Sequence, residues 1–197
     1  MAVERSAGRP GSPAGEAVPL ASLRYIAAYP VDLRVQVQRL IDDAALGRHL
    51  LKRYPLVHDV RSDRALYQYV DRLKQDHLRG ADRIDKVLFD SKIHLVHQAL
   101  GLHTSRARVQ GSRLKGSREI RIASLFRVAP LEFLRMIVVH ELAHLRVREH
   151  DKAFYQLCLH MEPTYHQLEF DVRLYLTHLD LGGDRVWGET QSDALSK

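Results

Sequence analysis

Between Ala129-Pro130 and Leu145 the chain runs through a strongly apolar stretch, and His140-Glu141-Leu142-Ala143-His144 stands inside it. No other segment constrains the fold as much. Leu131, Leu134, Ile137, Val138, Leu142 and Leu145 recur at three- and four-residue steps and can face a core, with Pro130 at a first-turn position that tolerates its missing N–H. A helix of this kind is buried, so polar residues placed on it need partners. His140 and His144 project from nearly one face, one turn apart, where both imidazoles can reach a single ion. Glu141 lies beside the first of them, within reach of a water at an open coordination position. Zinc lowers the pKa of such a water towards roughly 7, and the Glu141 carboxylate suits the task of taking its proton. Glu141 is therefore read as a general base and not as a ligand.

Two histidines do not close a site. His150 follows ten residues after His140, which on a straight helix is about 15 Å further along the axis, too far to share an ion. The chain has to turn in between. The position where a glycine would allow a left-handed exit is Val147, so the helix must end by another route between Arg146 and Glu149. Asp151 suits the N-cap of a following helix, Lys152 to Leu159, which leaves His150 just outside it and free to swing back. On residue types alone His160, Glu162, His166 and Glu169 compete with His150 for the third position.

The remainder of the chain supplies a frame. With 197 residues and 45% hydrophobic composition, it is long enough for one domain with a real core. Residues 1–20 are Gly-, Pro-, Ala- and Ser-rich and read as a disordered tail. Residues 21–103 read as a helical N-terminal region, with a helix from Val31 to Lys52, a second through Leu66, Val70, Leu73 and Leu78 to Gly80, and a third through Ile84, Val87, Leu88, Leu95 and Leu100. After Gly101 the texture changes. Thr104 to Gln110 and Glu119 to Phe126 alternate, with a glycine-bounded loop from Gly111 to Gly116 between them, which predicts two strands joined as a hairpin. A final helix is expected from Glu169 to Leu181, ended by Gly182-Gly183, with residues 183–197 as a C-terminal tail in which Trp187 is either an anchor or exposed. A single cysteine, Cys158, excludes an intramolecular disulfide framework and reads as a buried small hydrophobe. No run of about 18 apolar residues and no signal peptide is recognised, so a cytoplasmic protein without a membrane span is expected.

The order Val138-Val-His-Glu-Leu-Ala-His-Leu145, His150, Phe154-Tyr155, Pro163 and Tyr165 resembles the YgjP-like (DUF45) metallohydrolases, relatives of the M48 and WLM peptidases. Upstream, Ser105-Arg106, Gly111-Ser112, Ile120-Arg-Ile and Ala129-Pro130 fall where that family keeps similar elements. The resemblance spans about residues 105–180, and implies His140, His144 and His150 as metal ligands. Gln110 and Arg113 stand where the family has Trp and Cys, and Tyr155 where it has Trp. SprT-type peptidases are similar in outline, but their third histidine lies further downstream. The expected fold is therefore α+β: mostly helical, with a small antiparallel sheet packed on a zincin-type active-site helix in a core spanning residues 104–182.

Three functions follow from these readings. The first is a zinc-dependent metallopeptidase in which the strand Glu119 to Phe126 aligns an extended peptide. The second is a metal-dependent nucleoside triphosphate pyrophosphatase, which the resemblance also allows. It fits a run of six cations (Arg106, Arg108, Arg113, Lys115, Arg118 and Arg121) set against Glu119, suited to phosphate groups or another polyanion. With 30 Lys and Arg against 24 Asp and Glu, the net charge of +6 points weakly the same way. A nucleic-acid binder with a structural zinc is disfavoured, because structural sites generally use four protein ligands. Tyr165, His166, Arg113 and Lys115 are candidate contacts for the substrate or a developing oxyanion.

Overall fold

The computed structural model describes residues 23–93 and 118–188. Helix α1 (Val31–Asp42) and helix α2 (Leu46–Arg53) occupy the stretch expected as one helix. The break is local: Ala44 takes a left-handed φ of 48°, and the amides of Ala44 and Ala45 bond back to the carbonyls of Ile41 and Leu40 at 2.9 and 2.8 Å. The apolar spacing continues across this corner, which is why periodicity alone did not reveal it. Helix α3 (Asp63–His77) starts where the Ser62 hydroxyl accepts the Ala65 amide at 3.2 Å, an N-cap on the third helical residue.

Two further expectations need correction. Part of the third predicted helix is a strand, β1 (Lys86–Asp90), which pairs with β2 (Glu119–Ala123). The pairing is parallel, with Val87 opposite Ile120 and Phe89 opposite Ile122, so the sheet is not antiparallel. The partner of β2 is a strand from before residue 91, and the long connection through residues 91–118 permits the crossover that parallel strands require. Val87, Phe89, Ile120 and Ile122 bury one face of the ribbon against the body, whereas Lys86 and Glu119 pair outside it at 3.4 Å. The strand expected over 104–110, the glycine-bounded loop, and the tail segments 1–22 and 189–197 lie outside the described residues.

Helix α4 (Leu131–Ala143) is the centre of the molecule. Phe133, Leu134, Met136, Val138, Val139 and Leu142 have no exposed surface. Around it pack α3, β2, the short 3-10 turn Ser124–Val128, α5 (Lys152–Met161) and α6 (Tyr165–Asp180). At roughly 25 cal/mol per Å² of apolar surface, this side-chain set is the main source of stability for whatever α4 carries. Polar braces fix its neighbours. Arg135 on α4 binds the Glu162 carboxylate and the Met161 carbonyl at the end of α5. The fully buried Asp171 on α6 accepts from the Tyr54 hydroxyl at 2.5 Å and from Gln167, and pairs with Arg53 at 3.3 Å. Burial first, and then that carboxylate, raise the Tyr54 pKa. Trp187 is an anchor: it is 1% exposed, its indole N–H donates to the Tyr54 carbonyl at 2.7 Å, and its ring meets Phe133 and Tyr175 edge-on. Among the described residues no helix is long and apolar enough to cross a membrane.

Candidate metal centre

Helix α4 ends at Ala143, with His140 in its last turn and His144 as the C-cap. The chain leaves through a tight turn in which Val147 N–H still bonds the Ala143 carbonyl at 3.0 Å. Among the described residues Ala44 is the one non-glycine with positive φ, so this exit is made without a left-handed residue. The absent glycine at Val147 is no obstacle. Next, the Asp151 carboxylate accepts the Phe154 amide at 3.0 Å and caps α5. That cap sets two residues at once, His150 just before the helix and Phe154 in its first turn.

The outcome is convergence of His140, His144 and His150, whose candidate ligand atoms lie within 4.8 Å of one another. His140 Nε2 is 3.2 Å from His144 Nε2 and 3.2 Å from His150 Nε2. These are poor hydrogen bonds as a set. His144 Nδ1 faces the Val147 carbonyl at 2.9 Å and must carry its proton there, so His144 Nε2 presents a lone pair. A single proton on His140 Nε2 cannot serve both neighbours. Two nitrogens bound to zinc at 2.0–2.1 Å in tetrahedral geometry are about 3.3 Å apart, close to the spacing found. The imidazoles thus fit a divalent cation, and three nitrogen donors are the number of protein ligands that a catalytic zinc site uses.

Sequence reasoning left four other residues open for the third position, and each is engaged elsewhere. His160 is exposed, its ring edge-on to His77. Glu162 accepts from Arg135 and Thr164. Glu169 is buried and bound to Arg173 at 2.8 Å, with His166 at 3.9 Å on its other oxygen. His166 itself is more than half exposed and stacks near Tyr155. Tyr165 is fully buried, with its hydroxyl 2.8 Å from His140 Nδ1, the nitrogen on the other side of the ring from the one that faces the other two imidazoles. Arg113 and Lys115 lie outside the described residues. Of the other cations in that run, Arg118 pairs with Asp82, and Arg121 binds Asp90 and Glu119 at 2.8 and 3.1 Å. Those two charges are largely balanced.

Phe154 was noted in the sequence for its place in the motif alone. It is fully buried and touches all three imidazoles, with ring centroids 5.0, 4.5 and 4.6 Å away. It forms an apolar floor that holds the rings in place and keeps water from behind them. The available signal was an aromatic in the first turn after a strong N-cap, on the side facing α4. Glu141, half-buried beside His140, has its carboxyl pushed up to about 7 by desolvation. The end of α4 carries the negative pole of the helix dipole, which favours a cation at this spot.

A family model for the YgjP-like metallopeptidase domain matches residues 82–172. A UTP pyrophosphatase of Escherichia coli (strain K12) is 57% identical over 167 residues, covering 85% of this chain and 100% of the relative. The chain belongs to the YgjP-like family. No solved structure gave a significant match. The YgjP-like match begins before β1, so it takes in both strands, α4 and α5 and ends within α6. Membership makes the protein a hydrolase of the metallohydrolase type and accounts for the three-histidine cluster that could hold a metal.

Proposed function

We propose that the protein is a zinc-dependent hydrolase acting on a phosphoanhydride bond of a nucleoside triphosphate, with UTP the first substrate to test. The observation that carries the metal chemistry is the pair of 3.2 Å Nε2 separations centred on His140. The substrate class rests on the 57% identity to a UTP pyrophosphatase over that relative's whole length. His140, His144 and His150 would hold the ion, which when bound supplies a Lewis acid and acidifies a water. Glu141 takes the proton of the attacking water on its carboxylate and returns it to the departing phosphate oxygen. A carboxyl near 7 is well matched to both halves of that exchange at neutral pH. Phe154 keeps the imidazoles fixed from behind, so the open side of the cluster is the side where substrate binds.

Peptide hydrolysis is the second reading, favoured by the family description and by one structural observation. Strand β2 lies against α4 and, among the described residues, pairs on one edge alone, with β1. A free edge beside an active-site helix can align an extended peptide.

Metal analysis of the purified protein, followed by incubation with UTP or with an unstructured protein, separates the two. We expect one zinc per chain, with pyrophosphate released from UTP and none from UTP given to the Glu141→Gln protein. Undiminished turnover by Glu141→Gln that still carries zinc would refute the mechanism. Cleavage of unstructured protein with UTP left intact would replace the substrate while leaving the metal site standing.

A further inference from the structure

We infer that Tyr165 is a positioning residue for His140, its buried hydroxyl accepting the Nδ1–H of that imidazole so that the Nε2 lone pair points at the metal. The inference rests on the reading of the three imidazoles as a cation site. It follows from what each nitrogen faces. His140 Nε2 is the atom shared by the two close contacts with His144 and His150, so this nitrogen must be unprotonated when a cation is held there. The one ring proton of neutral His140 is then on Nδ1, and at 2.8 Å Nδ1 faces the Tyr165 hydroxyl. Cys158, fully buried one turn further along α5 than Phe154, belongs to the apolar surroundings that close off this part of the site. Both partners of this contact, His140 and Tyr165, have 5% exposure or less.

A parallel device serves His144, whose Nδ1–H goes to the Val147 carbonyl at 2.9 Å. Two of the three imidazoles are thus turned and polarised by a group behind them, one on the backbone and one on a side chain. Partners of this kind orient a ligand and raise its basicity, and losing one typically weakens metal binding by roughly 10- to 100-fold. His140 Nε2 lies 3.2 Å from the Nε2 of each of the other two imidazoles, so a turn of its ring would disturb both separations. A tyrosine on α6 also ties the metal site to the helix that packs behind α4 and α5.

The test is Tyr165→Phe, which keeps the aromatic ring and its contacts with Tyr155 and His166 and removes the hydroxyl alone. Zinc affinity is measured by competition with a chromophoric chelator, and the His140 ring protons of the zinc-loaded protein are followed by nitrogen-15 NMR. We expect affinity to fall about 10- to 100-fold while the metal-free protein melts within a few degrees of the parent. We also expect a slowly exchanging Nδ1–H on His140 in the parent that exchanges quickly in the variant. Affinity within about threefold of the parent overturns the inference. If Tyr165→Phe does not fold, the parent spectrum decides: an Nδ1–H on His140 that is hydrogen-bonded supports the role, and a proton on Nε2 in the zinc-loaded protein overturns it. A parent that takes up no zinc removes the cation site itself, a failure distinct from a parent that binds zinc and a variant that binds it equally well.

Discussion

Replacing Glu141 by Gln should kill turnover and make the metal-free protein more stable. The carboxyl is half-buried beside His140 and held at about 7, against an ordinary value of 4.5, by desolvation alone. Below about pH 4.5 it is protonated in folded and unfolded chains alike and contributes nothing to the pH dependence. Between 4.5 and 7 the folded state binds more protons than the unfolded one, so stability falls as pH rises. Above 7 the full penalty of burying the charge is present. At 1.36 kcal/mol per tenfold change in proton affinity, that penalty is up to about 3 kcal/mol. Gln has nearly the same shape and no charge to desolvate, so Glu141→Gln should gain up to about 3 kcal/mol at pH 8.5 and almost nothing at pH 4.5. Urea unfolding of both proteins in excess chelator, across that pH range, reads the difference directly. Adding zinc should shrink the gain, because the cation stabilises the carboxylate that Gln lacks. A variant no more stable than its parent at pH 8.5, or a gain that does not change with pH, would show that Glu141 is not the desolvated acid on which its role depends.

Three further outcomes are expected. His150→Ala should lower zinc content well below one per chain by elemental analysis while His160, Glu162, His166 and Glu169 stay engaged as they are; full zinc in that variant would return the third position to one of them. Phe154→Ala opens a cavity under three imidazoles and should cost about 3–5 kcal/mol in urea unfolding, whereas Phe154→Leu keeps most of the volume and should cost under about 1.5 kcal/mol. His58 is 6% exposed, with Nε2–H donating to the Phe126 carbonyl at 2.8 Å and Nδ1 accepting from Val60 N–H at 3.0 Å, and burial lowers its pKa. The folded state then binds fewer protons than the unfolded one below about pH 6.5, so stability should fall as the solution is acidified through that value. The fall should be smaller in His58→Gln, and an identical pH profile in the two proteins would contradict the assignment.

What the sequence disclosed followed from how local each feature is. His140, Glu141 and His144 lie within two turns of one apolar helix, so spacing alone placed them together, and Asp151 was legible as a cap because a cap is a three-residue interaction. Strand β1 was not. Val87 and Phe89 bury alternate positions because a strand that follows a crossover in sequence pairs with them in parallel, and within 84–100 the same residues satisfy a helical spacing equally well. Ala44 breaks the first predicted helix without any change in the apolar pattern. The sequence offered Tyr165 as an oxyanion contact or as a residue packing behind Pro163, and its hydroxyl meets His140 Nδ1, a contact that sequence order does not disclose.

The same distinction explains why the third ligand comes from outside the helix. A third histidine on α4 itself could lie one turn from His140 or His144, yet then all three rings would stand in a row along one helix face, about 5–6 Å apart from turn to turn, and could not surround an ion. Ending the helix at Ala143 lets the chain approach the cluster from another direction, with His150 set by the Asp151 cap and backed by Phe154. It also places the three imidazoles at the carbonyl end of α4, where the partial negative charge of the helix adds to the attraction for a cation. Extending α4 past His144 would carry His150 away along the axis and remove that charge from the site. The turn at 144–150 is therefore as much a part of the metal centre as the histidines, and substitutions that favour helix there, such as Val147→Ala with Glu149→Ala, should weaken zinc binding without touching a ligand; unchanged zinc affinity in that double variant would show that the turn is held by the ring contacts alone.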